Sequence, residues 1–320
     1  MINFRKPAYG ALLGFVVVAS AACGGSSATP APASGAAPAA NNGDASSLLT
    51  QALSSTSAVK SFHIKLTVGG TIKGAALASA DSSGMLGTGD LKLDGTSVEG
   101  DVDLAKSAAH ITFGLPALSQ LGGMAITGDL IMADQTLYVK SALLGGAKYM
   151  KLPLSGLSSL TSSLPLPSDL PVAVPSTGTS GLSGMTSQLG DLQKQVAAAG
   201  GKAEVVGTDS IGGADATHVK VTVPVAWIDQ QLAAAEAAAT PAADATPDPL
   251  AGAKLDSAGV DFWVYKDNNQ LAQMHITGAS SMIGNLDVML TLTNYDKAVS
   301  ISAPAASDVT DSSALFPANP

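Results

Sequence analysis

Cysteine occurs once in this sequence of 320 residues, at Cys23, which excludes an intramolecular disulfide and any site built from a cysteine cluster. Histidine is almost as scarce. His63, His110, His218 and His275 are widely spaced, and no H-x-x-x-H pair or EF-hand loop is present. Each histidine falls within an alternating segment, which marks a sheet-face residue rather than a catalytic base. Aromatic residues make up only 4% of the chain, too few for a cleft that stacks sugar rings. Basic residues are outnumbered, 16 against 25 acidic, and scattered; the net charge of −9 argues against nucleic acid and against broad adhesion to anionic headgroups.

Nucleophile motifs are missing as well. No G-x-S-x-G elbow exists, and Gly95–Gly100 (GTSVEG) has one residue too many. Asp101 and Asp103 share one face of a strand, which is the pattern of a solvated surface. Gly87-Thr88-Gly89 lacks the third glycine of a dinucleotide fingerprint and reads as a turn. These absences describe a chain that is not an enzyme and needs no cofactor and no metal.

What is present begins at the N-terminus. Arg5 and Lys6 precede an uncharged, mostly apolar run of twelve residues, Ala11–Ala22. Such a run is too short for the roughly 20 helical residues that cross a bilayer, and it has the form of a secretory signal, residues 1–22. Cys23 follows Ser20-Ala21-Ala22 and precedes two glycines, an arrangement that resembles the lipobox of bacterial lipoproteins, with Ser20 where that motif usually has Leu. The resemblance implies a diacylglyceryl group on the Cys23 sulfur, which would hold the protein on the extracytoplasmic face of the cell membrane. Residues 23–45 are rich in Ala, Pro, Gly and Ser and form a flexible spacer.

The remainder, residues 46–310 with a tail at 311–320, is expected to be one domain. Ser46–Val59 has helical spacing, with Leu48, Leu49, Ala52 and Leu53 on one face. The period then changes to two. Phe62, Ile64, Leu66 and Val68 alternate with polar residues up to a turn signal at Gly69-Gly70. A hairpin is expected at Asp94-Gly95, then a meander through residues 109–113, 125–132, 137–140 and 148–152 that turns at Asp134-Gln135. Residues 153–184 and 240–255 are irregular excursions rich in proline, and Met185–Ala199 reads as a helix closed by Gly200-Gly201. Strands at 203–208 and 217–223 flank Ile211-Gly212-Gly213, and Pro224 opens a helix to about Ala239. Strands at 260–266, 271–278 and 286–292 follow, with a final short one at Ala298–Ala303. One curling antiparallel sheet with a few helices on one face, an α+β fold, accounts for this order.

Several stretches resemble the LppX/LprAFG family of actinobacterial lipoproteins, whose fold is related to that of LolA and LolB. They are the lipobox-like Cys23, Ser61-Phe62-His63-Ile64, Thr136–Val139 within the 129–140 hairpin, Gly207–Val223, Val260–Lys266 and Leu292–Pro304. The resemblance implies a strongly curved half-barrel with helices over its concave side and an apolar cavity for acyl chains. The apolar phase of each strand supplies the candidate lining: Phe62, Ile64, Leu66, Leu137, Val139, Val219, Val221, Met274, Ile276, Val288, Leu290 and Leu292. The expected activity is carriage of a lipid or glycolipid across the envelope, with a membrane transporter as a further partner. The alternatives are a sensor or regulator on the same fold, or a structural surface lipoprotein with a filled core.

The anchor is tested by Cys23→Ala. The variant is expected to leave the membrane fraction or to accumulate as unprocessed precursor; a processed, membrane-bound variant would overturn the lipoprotein assignment.

Overall fold

A computed structural model of the chain describes residues 45–76, 89–121, 125–142, 146–153, 194–238 and 254–311. The signal segment, Cys23, the spacer, nearly all of both excursions, the start of the 185–199 helix and the tail beyond residue 311 lie outside the described residues.

Thirteen strands form one sheet. They are β1 (Ser61–Ile72), β2 (Leu91–Lys92), β3 (Thr96–Asp103), β4 (Ala108–Leu115), β5 (Ile126–Ala133), β6 (Thr136–Ser141), β7 (Tyr149–Pro153), β8 (Lys202–Ile211), β9 (Ala214–Thr222), β10 (Ser257–Tyr265), β11 (Leu271–Ser280), β12 (Gly284–Thr293) and β13 (Val309–Asp311). The order is β13-β7-β6-β5-β4-β3-β1-β12-β11-β10-β9-β8, with β2 also beside β1. Among the described residues only β13 runs parallel to its neighbour, β7. The end strands β8 and β13 are not neighbours, so the sheet is open rather than a closed barrel. It consists of two meanders, β3 to β7 and β8 to β12, joined through β1, which pairs with β3 on one side and β12 on the other.

Helix α1 (Ala45–Ser57) lies on one face of this sheet, here called the inner face. It buries Ala45, Leu49, Ala52 and Thr56, residues spaced at helical intervals, and the small side chains let the helix approach the strands closely. Ala45, Leu49 and Ala52 form a cluster with Val219 of β9 and Val264 of β10. At the end of α1 the Thr56 hydroxyl accepts a 2.9 Å hydrogen bond from the backbone N–H of Leu271, fixing the helix to the start of β11. Helix α2 (Val225–Ala238) follows Pro224 as expected. Its Ile228 packs against Val196 and Val223, so the helical turn at 194–198 and α2 share one cluster over β9 and β10.

The turns explain where the sequence reading holds and where it fails. Asp134-Gln135 and Gly212-Gly213 are two-residue hairpin loops in which both residues have positive φ, the geometry that matches strand twist. Gly69-Gly70, by contrast, does not turn the chain. Both residues stay in β1 and pair with Asp287 and Leu286. Gly70 has φ +111°, and a Cβ there would lie 2.3 Å from the carbonyl oxygen of Asn285, so the glycine permits close strand approach. Asp94-Gly95 is not a hairpin either. Both β2 and β3 pair antiparallel with β1, and three residues, Leu93 to Gly95, stand opposite Gly69 and Gly70. The segment is a bulge in one long strand, and the Asp94 carboxylate closes it by accepting from the Gly70 N–H. The expected strand at Ala298–Ala303 is also absent. That segment has no ladder partner because it crosses the outer face, where Ile301 packs on Ile131, Ala133 and Tyr138 before the chain enters β13.

Inner-face glycines permit close approach of neighbouring groups. A Cβ on Gly100 would meet the His110 carbonyl oxygen at 2.0 Å, and one on Gly128 would meet the Phe113 ring at 2.2 Å.

Gly70→Ala is expected to lower stability by roughly 2–3 kcal/mol through its φ and the clash with Asn285. Gly207→Ala, with open space around it, should change stability by less than about 0.5 kcal/mol. Chemical denaturation measures both. As one continuous sheet, a protein beginning at Ala45 is expected to melt in a single transition; two transitions would divide it into independent units.

Candidate functional site

Cross-strand register determines which side chains share a face, because residues directly opposite in an antiparallel pair point the same way. Starting at Leu66, the partners across β12, β11, β10, β9 and β8 are Leu290, Met274, Phe262, Val219 and Val205. In the other direction they are Val98, Phe113 and Gly128. A second row runs Val68, Val288, Ile276, Val260 and Val221. A third runs Leu292, Ile64, Gly100, Ile111, Leu130, Val139 and Met150, and a fourth Phe62, Val102, Ala109, Met132, Leu137 and Leu152.

All twelve candidate residues therefore lie on the inner face, in four parallel rows. No charged residue appears in any row. Val98, Ile111, Phe113, Leu130, Val260 and Phe262 belong to the same rows and were not singled out from sequence, although their strands show the same alternation.

The candidates differ in burial. Phe62, Val219, Val288 and Leu292 are buried, with Val219 completely inaccessible. Ile64, Leu66, Leu137, Val139, Val221, Met274, Ile276 and Leu290 are only half-buried. Three of the buried ones sit in recognisable packing. Val219 is under α1, while Phe62 and Leu292 cluster with Val59 and Leu271 near the end of that helix. Tyr295 closes this end, donating its hydroxyl to the Leu271 carbonyl, and burial pushes its phenol well above the ordinary range. Among the described residues, α1, α2 and the 194–198 turn lie against β8 to β11 and the 3-10 turn Pro116–Leu121 lies against β2, while most apolar residues at the centre of the face, along β12, β1 and β3 to β6, are only half-buried.

The outer face is the converse. Its strands carry the four histidines and the charged residues that the inner face excludes. His63 Nδ1 lies 2.9 Å from Asp101, His110 Nε2 is 2.8 Å from Asp129, His218 Nε2 is 2.9 Å from Asp261, and His275 Nε2 is 3.1 Å from Asp287. Lys65 hydrogen-bonds Glu99 at 3.2 Å and holds that carboxyl below its usual value. Burial, reinforced by a hydrogen bond to Asp129, pushes the Tyr149 phenol up to about 12. Two depressions, of about 490 and 300 Å³, are lined mainly by outer-face residues such as Thr67, Asp94 and Asp287 in the first and Asp129 and Lys140 in the second. Neither is apolar enough to take a hydrocarbon chain. Among the described residues no group of three or more metal-ligating side chains converges, and no helix is long and apolar enough to cross a membrane.

No family model matches the sequence, and no curated protein is significantly similar to it. Several solved structures align with this chain over most of its length. LprF from Mycobacterium bovis aligns at 17% identity and a TM-score of 0.44, over 82% of this chain and 97% of that one. The lipoprotein LppX from Mycobacterium tuberculosis aligns at 14% and 0.38, over 81% and 98%. A LolA superfamily protein from Nitrosomonas europaea aligns at 9% and 0.24, over 80% and 94%.

Proposed function

We propose that the inner face binds the acyl chains of a lipid or glycolipid, and that the protein, tethered through Cys23, carries this cargo within the cell envelope. The observation that carries the reading is an apolar face, free of charge across four rows, most of whose central residues remain half-buried. A filled core would bury them; a face exposed to water without an occupant would be costly.

The dimensions suit the cargo. The inner residues of β1 from Phe62 to Ile72 span roughly 30 Å at about 3.3 Å per residue, longer than one leaflet's acyl chain, given a bilayer core of about 30 Å. Leu, Ile, Val and Met side chains adapt to flexible chains better than flat rings would. Burial of apolar area, at about 25 cal/mol per Å², supplies the driving force, and no bond is made or broken. The charged outer face is left to water. The resemblance to envelope lipoproteins supports an extracytoplasmic, membrane-attached location, from which a transporter could receive or deliver the lipid.

Tryptophan substitutions distinguish a binding face from a core. Val219→Trp, at a completely buried site under α1, should overpack and cost roughly 1–3 kcal/mol or more. Leu290→Trp and Ile276→Trp, at half-buried sites, should cost less than about 1 kcal/mol and abolish uptake of a fluorescent acyl probe. Melting temperature and probe binding are measured for each. If all three destabilise alike and neither half-buried variant loses binding selectively, the face is a solid core and the carrier reading fails.

A further inference from the structure

The two ends of the sheet differ in chemistry. One end is closed. Val59, Phe62, Leu271 and Leu292 form a buried cluster there, Tyr295 packs against it, and the end of α1 is bonded to the start of β11. The registers place the turns after β3, β5, β8 and β10 at this same end. They are built from polar residues and glycine: Lys106-Ser107, Asp134-Gln135, Gly212-Gly213 and Asp267-Asn268-Asn269.

The opposite end carries the β11–β12 turn, Ser281-Met282-Ile283, beside the end of β1 at Ile72. Met282 is 47% exposed, against Val205 and Val206 of edge strand β8 as the other large apolar side chains this open to solvent among the described residues. A single exposed Met is ordinary on a protein surface; its setting here is not. The turn is held from several sides. Ser280 Oγ accepts from the Met282 and Ile283 N–H groups, each at 3.3 Å, and the Ser281 N–H donates to Asp256. The Lys73 ammonium donates to the Ser281 carbonyl at 2.7 Å, and the Lys73 N–H to the Ile283 carbonyl at 2.8 Å. An apolar side chain is thus kept in water on a fixed tip.

We propose that this tip is the contact through which the protein rests on a lipid bilayer, bringing the unplugged end of the inner face against the membrane for loading and unloading. The loading step rests on the carrier reading; the contact itself does not.

Three observations favour a bilayer as the partner. Behind Met282 the half-buried Ile72, Ile283 and Leu286 lead into the inner-face row of Val68, Val288 and Ile276, so apolar surface is continuous from the tip to the binding face. Charge gives no preference for an anionic surface: the exposed Lys73, Lys92 and Lys254 at this end are matched by the exposed Asp90, Asp94 and Asp256. The tether has the right direction. Thr56 of α1 lies at the closed end, whereas the earlier turns of the helix pack beside Val219 with Ala203 and Val221 beyond it. The chain leading back from Ala45 to Cys23 therefore points away from the closed end. A spacer of that length and composition reaches roughly 25 Å. One Met and its neighbours bind a bilayer weakly, but a tether makes the contact intramolecular and raises its effective concentration.

The test uses the full chain, isolated with its anchor and placed in phosphatidylcholine vesicles. An acylated Cys23 has no free thiol, so Met282→Cys and Ala298→Cys each offer one site for an environment-sensitive fluorophore, the first at the tip and the second exposed beside the closed end. With lipids spin-labelled on their acyl chains, the label at position 282 is expected to be quenched and blue-shifted, and the label at position 298 to be unaffected. Equal quenching at both positions, or none, overturns the bilayer contact; none would leave the tip to a protein partner. A second measurement separates docking from binding. Met282→Asp should slow transfer of a fluorescent acyl probe between vesicles roughly tenfold while retaining uptake of the same probe from free solution, and Met282→Leu should keep both within about twofold. Unchanged transfer in Met282→Asp, or equal loss of transfer and uptake, overturns the role of the tip and leaves the carrier reading intact. If the unaltered protein takes up no probe, the carrier reading fails instead, and quenching at position 282 by itself decides the tip contact.

Discussion

The ladder between β1 and β12 is the constraint on which the rest of the fold depends. It pairs His63–Ile72 with Gly284–Thr293, segments from opposite ends of the described chain. Without it the two meanders would be separate sheets, each with an exposed edge and an uncovered apolar face. Bringing such distant segments together costs loop-closure entropy, which the long register and the apolar rows on either side offset. Close approach is part of the arrangement. Gly70 and Gly284 both have positive φ, and a Cβ on Gly284 would meet the Thr71 carbonyl oxygen at 1.9 Å. The turn after β12 reinforces the junction: Asp296 accepts from the Lys60 N–H, and its own N–H donates to the Ser61 carbonyl.

From that junction follows the division of the sheet into two chemically distinct faces. In-phase pairing across so many strands sends every second side chain to the same side, and a one-residue slip at β1–β12 would mix the two sets. The bulge at Leu93–Gly95 and the one in β8 near Val206 each absorb an extra residue without disturbing the phase farther along. The apolar face thus stays continuous through both irregularities. Continuity is what a flexible hydrocarbon ligand requires, since one inward-pointing charge would carry a desolvation cost comparable with the gain from burying a whole chain segment.

The two faces are covered in different ways. Helices pack on the inner face over β8 to β11, where small alanines of α1 meet buried valines. The outer face is largely its own surface of cross-strand polar pairs, with exceptions near β5 to β7, where Ile301 and Val309 cover Ile131 and Tyr138, and across β9 to β11, where Ala216, Tyr265 and Ala272 cluster. The C-terminal segment therefore acts as a lining for an apolar patch on the otherwise polar side, and its parallel pairing with β7 protects that edge of the sheet.

Alternation alone determined most of the strands, the face to which each candidate lining residue belongs, and the exclusion of charge from that face, because a period of two is a local property of the chain. The type of the two-residue turns at Asp134-Gln135 and Gly212-Gly213 was equally local. The partners were not. Nothing near Phe62 in the sequence indicates that β1 lies between β3 and β12, so the glycines at 69 and 70 resembled a turn when they are sites of close strand contact. Asp94-Gly95 carries the same dipeptide whether it closes a hairpin or bulges a strand, and only the position of β1 decides between them. Ala298–Ala303 has a strand's composition but crosses the sheet instead of joining it. The pairing of each histidine with an aspartate on an adjacent strand was likewise invisible in one dimension. Burial within the apolar rows, and with it the contrast between a packed Val219 and a half-buried Leu290, depends on where α1 comes to rest, which is a matter of tertiary packing rather than of pattern.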